Sequence, residues 1–269
     1  MQTRVKKSLG QHFLKNQDIS RRIVDLLQIE ERDQVLEIGP GPGALTDRIR
    51  QLRPARLLLL EKDDHWAAVH AHALRDCAGA SIRSMDALEY AWEKLDGPWK
   101  IIGNLPYNRA SPLIWDCVSR VPELSLAVFM TQKEVAQRLS APPGNRVYGA
   151  LSVWVQSFVR VEWGFTVGPG NFFPPPKVDS AVVTMTALPR TMHPQNPAAL
   201  ARVIKLCFQQ RRKQLQGILR RQGIVDAAAL LEELEIDPAA RPEILACAKF
   251  HALALKCAPL LLTSNTKHD

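Results

Sequence analysis

The sequence predicts an α/β fold: a mostly parallel, doubly wound sheet with an antiparallel last strand, followed by a small all-helical domain. Apolar runs typical of strands alternate with helix-like segments through the first two thirds of the chain, which favours parallel β-α-β units. Residues 188–197 contain three prolines and no apolar periodicity, as expected of a linker, and every later segment has a helical pattern. The expected domains are therefore residues 1–188 and residues 189–269.

Short apolar runs predict the strands of the first domain. Arg56–Glu61 contains four consecutive leucines, which is typical of a strand that is buried on both faces. A proline-rich loop replaces the helix between the last two strands, which predicts that these two strands pair antiparallel. In chain order we predict strands at 34–38, 56–61, 81–84, 100–103, 124–130, 158–167 and 180–187, with helices at 44–51 and 64–76.

Helical patterns predict four helices in the second domain. Asp237-Pro238 and Arg241-Pro242 separate the later helices, because proline cannot continue a helix but suits its first turn. Pro242 is therefore expected in the first turn of the last helix. The predicted helices are residues 198–209, 211–222, 227–234 and 242–256.

Composition excludes several classes of protein. Of the 269 residues, 46% are hydrophobic and 23% are charged, which is ordinary for a globular chain and rules out intrinsic disorder. No apolar run approaches the ~20 residues that cross a bilayer, so no membrane segment is expected. The five cysteines are scattered and never form a CxxC pair, which argues against a disulfide framework or a metal site and fits the reducing cytoplasm.

The net charge of +8 is unevenly distributed. Residues 1–17 hold four basic residues and no acidic one, and residues 180–225 hold eight basic residues, including Arg211, Arg212 and Lys213, and again no acidic one. A surface that binds a phosphate backbone would exclude repelling carboxylates in this way. The charge pattern therefore predicts contact with nucleic acid, with a solvated helix face as the alternative interpretation.

A glycine-rich turn, Gly39-Pro-Gly41-Pro-Gly43-Ala44, follows a predicted strand and opens a predicted helix. Glycines let the backbone turn sharply and approach a ligand closely, so the loop predicts a nucleotide-like cofactor. It also satisfies the dinucleotide pattern GxGxxG/A, and Glu61 is suitably placed for an acid on ribose hydroxyls. The loop by itself leaves both NAD and S-adenosylmethionine open.

Acidic residues at three consecutive strand ends favour S-adenosylmethionine. Glu37 lies two residues before Gly39, where its charge would repel a pyrophosphate but attract the ammonium and sulfonium groups of S-adenosylmethionine. Asp86, beyond the third predicted strand, can accept a hydrogen bond from an adenine amino group. With Glu61, these residues form a series at the strand edge where open α/β sheets bind ligands.

Asn104-Leu105-Pro106-Tyr107 follows the next predicted strand and resembles the signature of methyltransferases that act on exocyclic amino groups. The Asn104 side-chain oxygen and the Leu105 carbonyl can hold both N–H groups of an adenine amino group, which aims the nitrogen lone pair at the methyl donor. Pro106 fixes the turn that presents this carbonyl. Tyr107 offers a π-face to a base extracted from its helix.

Five motifs in order resemble the KsgA (RsmA) family of small-subunit ribosomal RNA adenine N6,N6-dimethyltransferases. They are residues 7–14 (KSLGQHFL), 37–41 (EIGPG), 104–108 (NLPYN), 173–180 (FPPPKVDS) and 210–213 (QRRK). The resemblance covers essentially the whole chain and implies a Rossmann-like class I methyltransferase sheet. It also implies the methylation of two adjacent adenosines, each receiving two methyl groups, in a hairpin loop near the 3′ end of the 16S ribosomal RNA.

The resemblance also implies roles for individual residues and the partners of the chain. The partner would be small-subunit ribosomal RNA in an immature 30S subunit, bound by a cytoplasmic monomer without a metal or a membrane. The implied cofactor-binding residues are His12, Leu14, Gly39, Gly41, Glu61, Asp86 and Asn104. The implied catalytic residues are Asn104, Leu105, Pro106 and Tyr107, and the implied substrate-binding residues are Tyr107, Phe173, Arg211, Arg212 and Lys213.

Three other interpretations remain open at this stage. One is a large-subunit ribosomal RNA adenine N6-methyltransferase of the antibiotic-resistance type, which the helical domain and the 173–180 motif disfavour. Another is a ribosome-assembly or RNA-binding factor without catalysis, which the intact Asn104 and Glu61 disfavour. The third is an NAD-dependent dehydrogenase, which Glu37 disfavours.

Overall fold

The structure is a computed structural model that describes residues 10–263, with side chains described as far as residue 259. Its described part consists of two compact units, residues 10–136 with 160–187 and residues 137–159 with 188–263. The basic residues Arg4, Lys6 and Lys7, together with the first residues of the 7–14 motif, lie outside the described residues.

The first unit is organised around a seven-stranded sheet in the order β4-β3-β2-β5-β6-β9-β7. Strands β2 to β6 pair parallel with one another, and β9 pairs antiparallel with β6, which confirms the predicted sheet. A separate ladder of β1 and β8 was not predicted. The strands are β1 Phe13–Leu14, β2 Gln34–Ile38, β3 Arg56–Glu61, β4 Ala80–Ser84, β5 Trp99–Asn104, β6 Leu124–Gln132, β7 Val159–Val167, β8 Phe172–Phe173 and β9 Ser180–Ala187.

Side-chain caps fix where several helices begin. Asn16 accepts hydrogen bonds from the first turn of α1, Asp63 caps α3, and Asn196 precedes Pro197 at the start of α7. The helices are α1 Gln17–Leu26, α2 Thr46–Gln51, α3 Asp64–Leu74, α4 Ala110–Arg120, α5 Lys133–Ser140, α6 Ala150–Gln156, α7 Pro197–Gln209, α8 Leu215–Arg220, α9 Ala227–Glu233 and α10 Cys247–Thr263.

Residues 137–159 lie in the second unit, although the sequence analysis expected them in the first domain. Helix α6 is buried on nearly every side and packs against α7 and α10. Just before it, Tyr148 contacts the Phe208 ring edge-on and donates a hydrogen bond to the Leu245 carbonyl. This grouping depends on contacts between residues that are far apart in sequence, so local patterns do not reveal it.

The prediction of one continuous helix over 242–256 is wrong. Pro242–Ile244 forms a separate 3-10 turn, Leu245 is extended, and α10 begins only at Cys247. Tyr148 binds the Leu245 carbonyl, which therefore does not contribute to a helix. The helix predicted at 211–222 is also shorter, since Gln214 is extended and α8 begins after it.

The register of the central strands brings the predicted site residues to one edge of the sheet. Ile38 of β2 lies beside Leu60 of β3 on one side and beside Gly103 of β5 on the other. Gly39, directly after β2, and Asn104, the last residue of β5, therefore come together. This is the carboxyl edge, where open α/β sheets bind their ligands.

Candidate active site

A cavity of about 900 Å³, including its open mouth, lies at this edge of the sheet. Most of the predicted site residues line it, and they come from the chain before α1, the glycine loop, the ends of β3 and β4, and the end of β5 with the residues after it. The predicted residues that line it are His12, Gly39, Gly41, Glu61, Asp86, Asn104, Leu105, Pro106 and Tyr107.

The glycine loop forms one wall of the cavity, and its backbone requires glycine at two positions. Gly39 and Gly41 have φ angles of +67° and +53°, which side-chain-bearing residues rarely adopt. A Cβ atom on Gly41 would also lie 2.9 Å from the Phe13 ring. The loop is therefore packed closely between the sheet and the segment that precedes α1.

The Glu61 carboxylate is held by two backbone N–H groups, one of which belongs to the glycine loop. Only 5% of the residue is exposed, and its carboxylate accepts hydrogen bonds from Gly41 N–H at 2.9 Å and from Asp63 N–H at 2.8 Å. Burial raises the pKa of Glu61, although these hydrogen bonds oppose the shift. Two carboxylate oxygens offer about four acceptor positions, so the carboxylate can also accept bonds from hydroxyl groups in the cavity.

Glu37 does not line this cavity but a smaller one beside it, which it shares with Gly39 and Asn104, so attraction of the cofactor by its carboxylate stays a prediction. The residue is only 1% exposed and accepts a hydrogen bond from the Thr46 hydroxyl at 2.7 Å. Burial raises its pKa to about 8, so the side chain is mostly neutral at pH 7. Glu37 supports the turn between β2 and α2 from within the unit.

Asp86 lies on the cavity between two sets of donors. One oxygen accepts from Leu88 N–H at 3.1 Å and the other from Lys62 Nζ at 2.6 Å, with Arg109 at 4.0 Å. Burial opposes ionisation, but the bonds from Lys62 and Leu88 N–H and the nearby cations lower the pKa of Asp86. The group is therefore an ionised acceptor at neutral pH.

Asn104 is oriented by a bond to the segment before α1. Its Nδ2 donates to the His12 carbonyl at 2.9 Å, which leaves Oδ1 as the acceptor end of the amide. Leu105 N–H donates to the Met130 carbonyl at 3.0 Å, so the following backbone is tied to β6. Together these bonds fix the acceptors that the sequence analysis assigned to an amino group.

Tyr107 is fixed at its hydroxyl and contacts a second ring. Its Oη lies 2.6 Å from Ser180 Oγ in a hydrogen bond, and its ring stacks on His12 with centroids 5.3 Å apart. Burial raises the pKa of Tyr107, so the phenol is neutral at physiological pH. Ser180 is the last residue of the 173–180 motif, and only the fold brings it to Tyr107.

The segment before α1 lies along the cavity and is held by several bonds. His12 Nδ1 is bonded to the Pro174 carbonyl at 2.7 Å, and Gln11 Nε2 donates to Asp63 at 3.1 Å. Leu14 is buried in the hydrophobic core and does not line the cavity. Phe173 is 52% exposed and does not line it either, so a contact with the cofactor or base stays a prediction for both residues.

Sequence analysis did not identify several residues on or beside the cavity. Lys62 and Arg109 line the cavity beside Asp86. Gln11 also lines it and donates a hydrogen bond to Asp63, and His70 of α3 is hydrogen-bonded to the glycine loop. The position of Lys62 directly after Glu61 was a usable signal. Gln11 lies within the 7–14 motif and Arg109 directly follows the 104–108 motif, whereas His70 reaches the loop only through a contact between distant parts of the sequence.

The predicted basic residues of the second unit have two different environments. Arg211 donates from Nη2 to the carbonyls of Arg146 and Tyr148 at 3.0 and 3.1 Å, and its Nε lies 3.8 Å from Glu243. It does not line the neighbouring basic groove, so its predicted contact with substrate has no support from this position. That groove has a volume of about 1,110 Å³, and its cationic lining residues are Arg212, Lys213, Arg220, Arg221 and Arg241.

Residues 10–263 contain no group of three or more His, Cys, Asp or Glu side chains that could hold a metal ion. Within the same range, none of the helices combines the length and the apolar character needed to cross a bilayer.

Comparisons with known proteins relate the whole chain to one family. The ribosomal RNA adenine dimethylase family matches residues 2–258. "Ribosomal RNA small subunit methyltransferase A" of Nitratidesulfovibrio vulgaris (strain DP4) is 58% identical over 94% of this chain and 96% of its own, and the protein of the same name from Lawsonia intracellularis is 54% identical over 93% of both.

Solved structures agree with this relation. The dimethyladenosine transferase of Plasmodium falciparum is 28% identical with a TM-score of 0.80, over 93% of this chain and 98% of its own. The 23S rRNA methyltransferase ErmE, at 24% identity and a TM-score of 0.68 over 91% and 98%, shares the fold. The resemblance found in the five motifs is therefore confirmed: the chain is a methyltransferase and belongs to the ribosomal RNA adenine dimethylase family.

Proposed function

We propose that the chain uses S-adenosylmethionine to dimethylate the N6 amino groups of two adjacent adenosines in the 3′-terminal hairpin loop of 16S ribosomal RNA. The observation that carries this proposal is the Asn104 amide, fixed by the His12 carbonyl on the same cavity as the glycine loop. The names of the relatives support the small subunit as the source of the RNA. A role in 30S maturation follows from that substrate.

The residues around the cavity fit S-adenosylmethionine. This cofactor supplies an electrophilic methyl group on a positively charged sulfur. Glu61 would accept the ribose hydroxyls, and Asp86 would accept the adenine amino group. Gly39 would lie beside the methionine part, because an added Cβ there would meet no protein atom within 4 Å and the space beside it is therefore open. His12 would cover the ligand from the side of α1.

The chain's contribution to the transfer is to position the adenine. Asn104 Oδ1 and the Leu105 carbonyl would accept the two N–H groups, so that the nitrogen lone pair points at the methyl group. The Tyr107 ring, fixed by Ser180, would stack against the base, a contact worth about 1–3 kcal/mol. An amino nitrogen loses its proton readily after it has accepted a methyl group, so no strong base is needed.

The basic groove of the second unit would hold the RNA backbone. Arg212 and Lys213 lie there with Arg220, Arg221 and Arg241, all of them exposed, and all but Arg241 belong to a stretch of chain without carboxylates before Asp226. Phosphate contacts of this kind add affinity without reading sequence. The proposal includes an immature 30S subunit as the partner and a cytoplasmic monomer as the acting form.

A methyl-transfer assay tests the proposal. The chain is incubated with labelled S-adenosylmethionine and with small or large ribosomal subunits that lack the modification, and the RNA is digested for mass spectrometry. We expect N6,N6-dimethyladenosine in small-subunit RNA only. Modification of large subunits alone would favour the resistance-type alternative.

The variant Asn104→Ala separates catalysis from binding in the same assay. We expect it to bind small subunits with nearly the affinity of the wild type but to transfer no methyl group. Cofactor binding without transfer to any form of RNA, by the wild-type chain, would contradict the proposed activity and favour an assembly factor.

A further inference from the structure

His70 contacts the glycine loop from helix α3, at a position outside all five motifs. The residue is 5% exposed, and its Nε2 lies 2.8 Å from the Gly41 carbonyl oxygen. A carbonyl oxygen only accepts hydrogen bonds, so His70 must carry a proton on Nε2 and donate it. Burial lowers the pKa of His70, which favours the neutral ring with a single N–H.

The same glycine is bonded on its other side. Gly41 N–H donates to Glu61 Oε2 at 2.9 Å, so Gly41 is held through its carbonyl by His70 and through its N–H by Glu61. The His70 ring also packs near Gly43, where an added Cβ would lie 3.5 Å from its Cε1 and from Asp47. The ring therefore supports the middle and the end of the loop.

We propose that His70 is a positioning residue of the cofactor site, which holds the glycine loop so that Gly41 N–H fixes the Glu61 carboxylate toward the cavity. Without this donor the buried Gly41 carbonyl would lack a partner, and a buried acceptor without a donor is costly. The loop would move to find one, and Glu61 would lose a bond that orients it. The inference rests on the proposed use of Glu61 to bind S-adenosylmethionine.

Three variants separate the donor from the bulk of the ring. His70→Leu removes the N–H and keeps an apolar side chain, whereas His70→Gln can present an N–H close to the position of Nε2. His72→Leu, on an exposed position of the same helix, is the matched control. Calorimetric titration with S-adenosylmethionine gives the Kd of each chain, and thermal unfolding without cofactor reports its folding.

We expect His70→Leu to raise the Kd for S-adenosylmethionine about tenfold or more, which corresponds to the loss of one buried hydrogen bond to the loop. His70→Gln should recover most of that loss, and His72→Leu should bind as the wild type does. At saturating cofactor, kcat of His70→Leu should stay within a few-fold of the wild type, because Asn104 and Tyr107 are unchanged.

Two results would overturn this assignment: a folded His70→Leu chain with the affinity of the wild type, or a His70→Gln chain that loses as much affinity as His70→Leu. If His70→Leu does not fold, nitrogen NMR of the wild type still decides, since a neutral ring protonated on Nδ1 excludes the bond. A wild-type chain that does not bind S-adenosylmethionine contradicts the proposed function instead. The NMR measurement then still reports whether His70 holds the loop.

Discussion

The two units of the chain use charged side chains in opposite ways. In the first unit, Glu61 and Asp86 lie on a cavity and accept bonds from named N–H groups and from Lys62. In the second unit, most basic side chains around the groove are exposed to solvent. The first arrangement selects one small ligand by geometry, whereas the second suits a polyanion whose phosphates can be met in many ways.

The largest effect is expected at the geometric site. Asn104→Ala should lower kcat by about 100- to 1,000-fold, because it removes the acceptor that is proposed to hold the adenine amino group in the reacting position. Single-turnover transfer to small subunits measures the effect. Calorimetric titration with S-adenosylmethionine and a filter-binding assay with RNA are the controls.

The Kd for RNA should change by less than a few-fold in Asn104→Ala, whereas the Kd for S-adenosylmethionine should rise, because the Asn104 side chain also holds the His12 segment beside the cofactor cavity. A comparable loss of RNA affinity would mean that the adenine contact and the backbone contact are not separable. In that case the proposed division of roles, with the adenine bound by the first unit and the RNA backbone by the second, would be wrong.

A second prediction contrasts the two buried glutamates of the first unit. Glu61→Gln should raise the Kd for S-adenosylmethionine by roughly 10- to 100-fold, because hydrogen bonds to a charged acceptor contribute about 1.5–3 kcal/mol. Glu37→Gln should leave the Kd nearly unchanged, since Glu37 does not line the cavity and its carboxyl is mostly neutral. Equal losses in both variants would identify Glu37 as a cofactor contact.

A third prediction uses the raised pKa of Glu37. Between about pH 4.5 and pH 8 the folded chain keeps Glu37 protonated while the unfolded chain ionises it, so the free energy of unfolding falls as the pH rises. The slope from this group is at most about 1.4 kcal/mol per pH unit. Glu37→Gln lacks this slope, and chemical denaturation at pH 5 and pH 8 should show its stability relative to the wild type increasing with pH.

The fate of Glu37 also shows what a sequence can predict. The strands were predictable because apolar runs such as the leucines of β3 are local signals. In a sheet covered on both faces, however, strand alternation does not tell which side chains reach the ligand. Glu37 and Glu61 both lie near strand ends, yet only Glu61 reaches the cavity. The cavity residues that follow β5 were predictable because they are consecutive.

The site residues that could not be predicted depend on contacts between residues that are far apart in the sequence. Ser180 and His70 meet the site only after folding, and the bonds of Tyr148 to the C-terminal residues are equally invisible in a local pattern. Arg211 and Arg212 are identical neighbours in the sequence. In the fold, Arg211 donates to backbone carbonyls, whereas Arg212 lines the open groove.

This pair of arginines gives a fourth, smaller prediction. Arg212→Gln should weaken RNA binding several-fold near physiological salt and reduce the slope of log Kd against log salt by about one unit, as expected for one lost phosphate contact. Arg211→Gln should leave that slope unchanged but lower the melting temperature, because it loses its bonds to Arg146 and Tyr148. Fluorescence anisotropy over a salt series and thermal unfolding measure the two effects.

The reverse pattern, with Arg211 controlling the salt dependence, would place it among the RNA contacts after all. Cofactor affinity should change little over the same salt series in every chain. The contacts proposed for the cofactor are short and involve partly buried acceptor groups, and salt screens such interactions weakly.

The smallest effect is expected at the hydrogen bond between Ser180 and the Tyr107 hydroxyl, because this bond is proposed to contact neither the cofactor nor the RNA. Ser180→Ala removes the partner of the Tyr107 hydroxyl, and a neutral hydrogen bond contributes about 0.5–1.5 kcal/mol, so kcat/KM should fall by roughly two- to tenfold. Tyr107→Phe removes the same bond from the other side. If the bond only orients the stacking ring, the double variant should lose little more than either single variant, as a double-mutant cycle on kcat/KM would show. Fully additive losses would instead mean that Ser180 and Tyr107 act independently on the substrate.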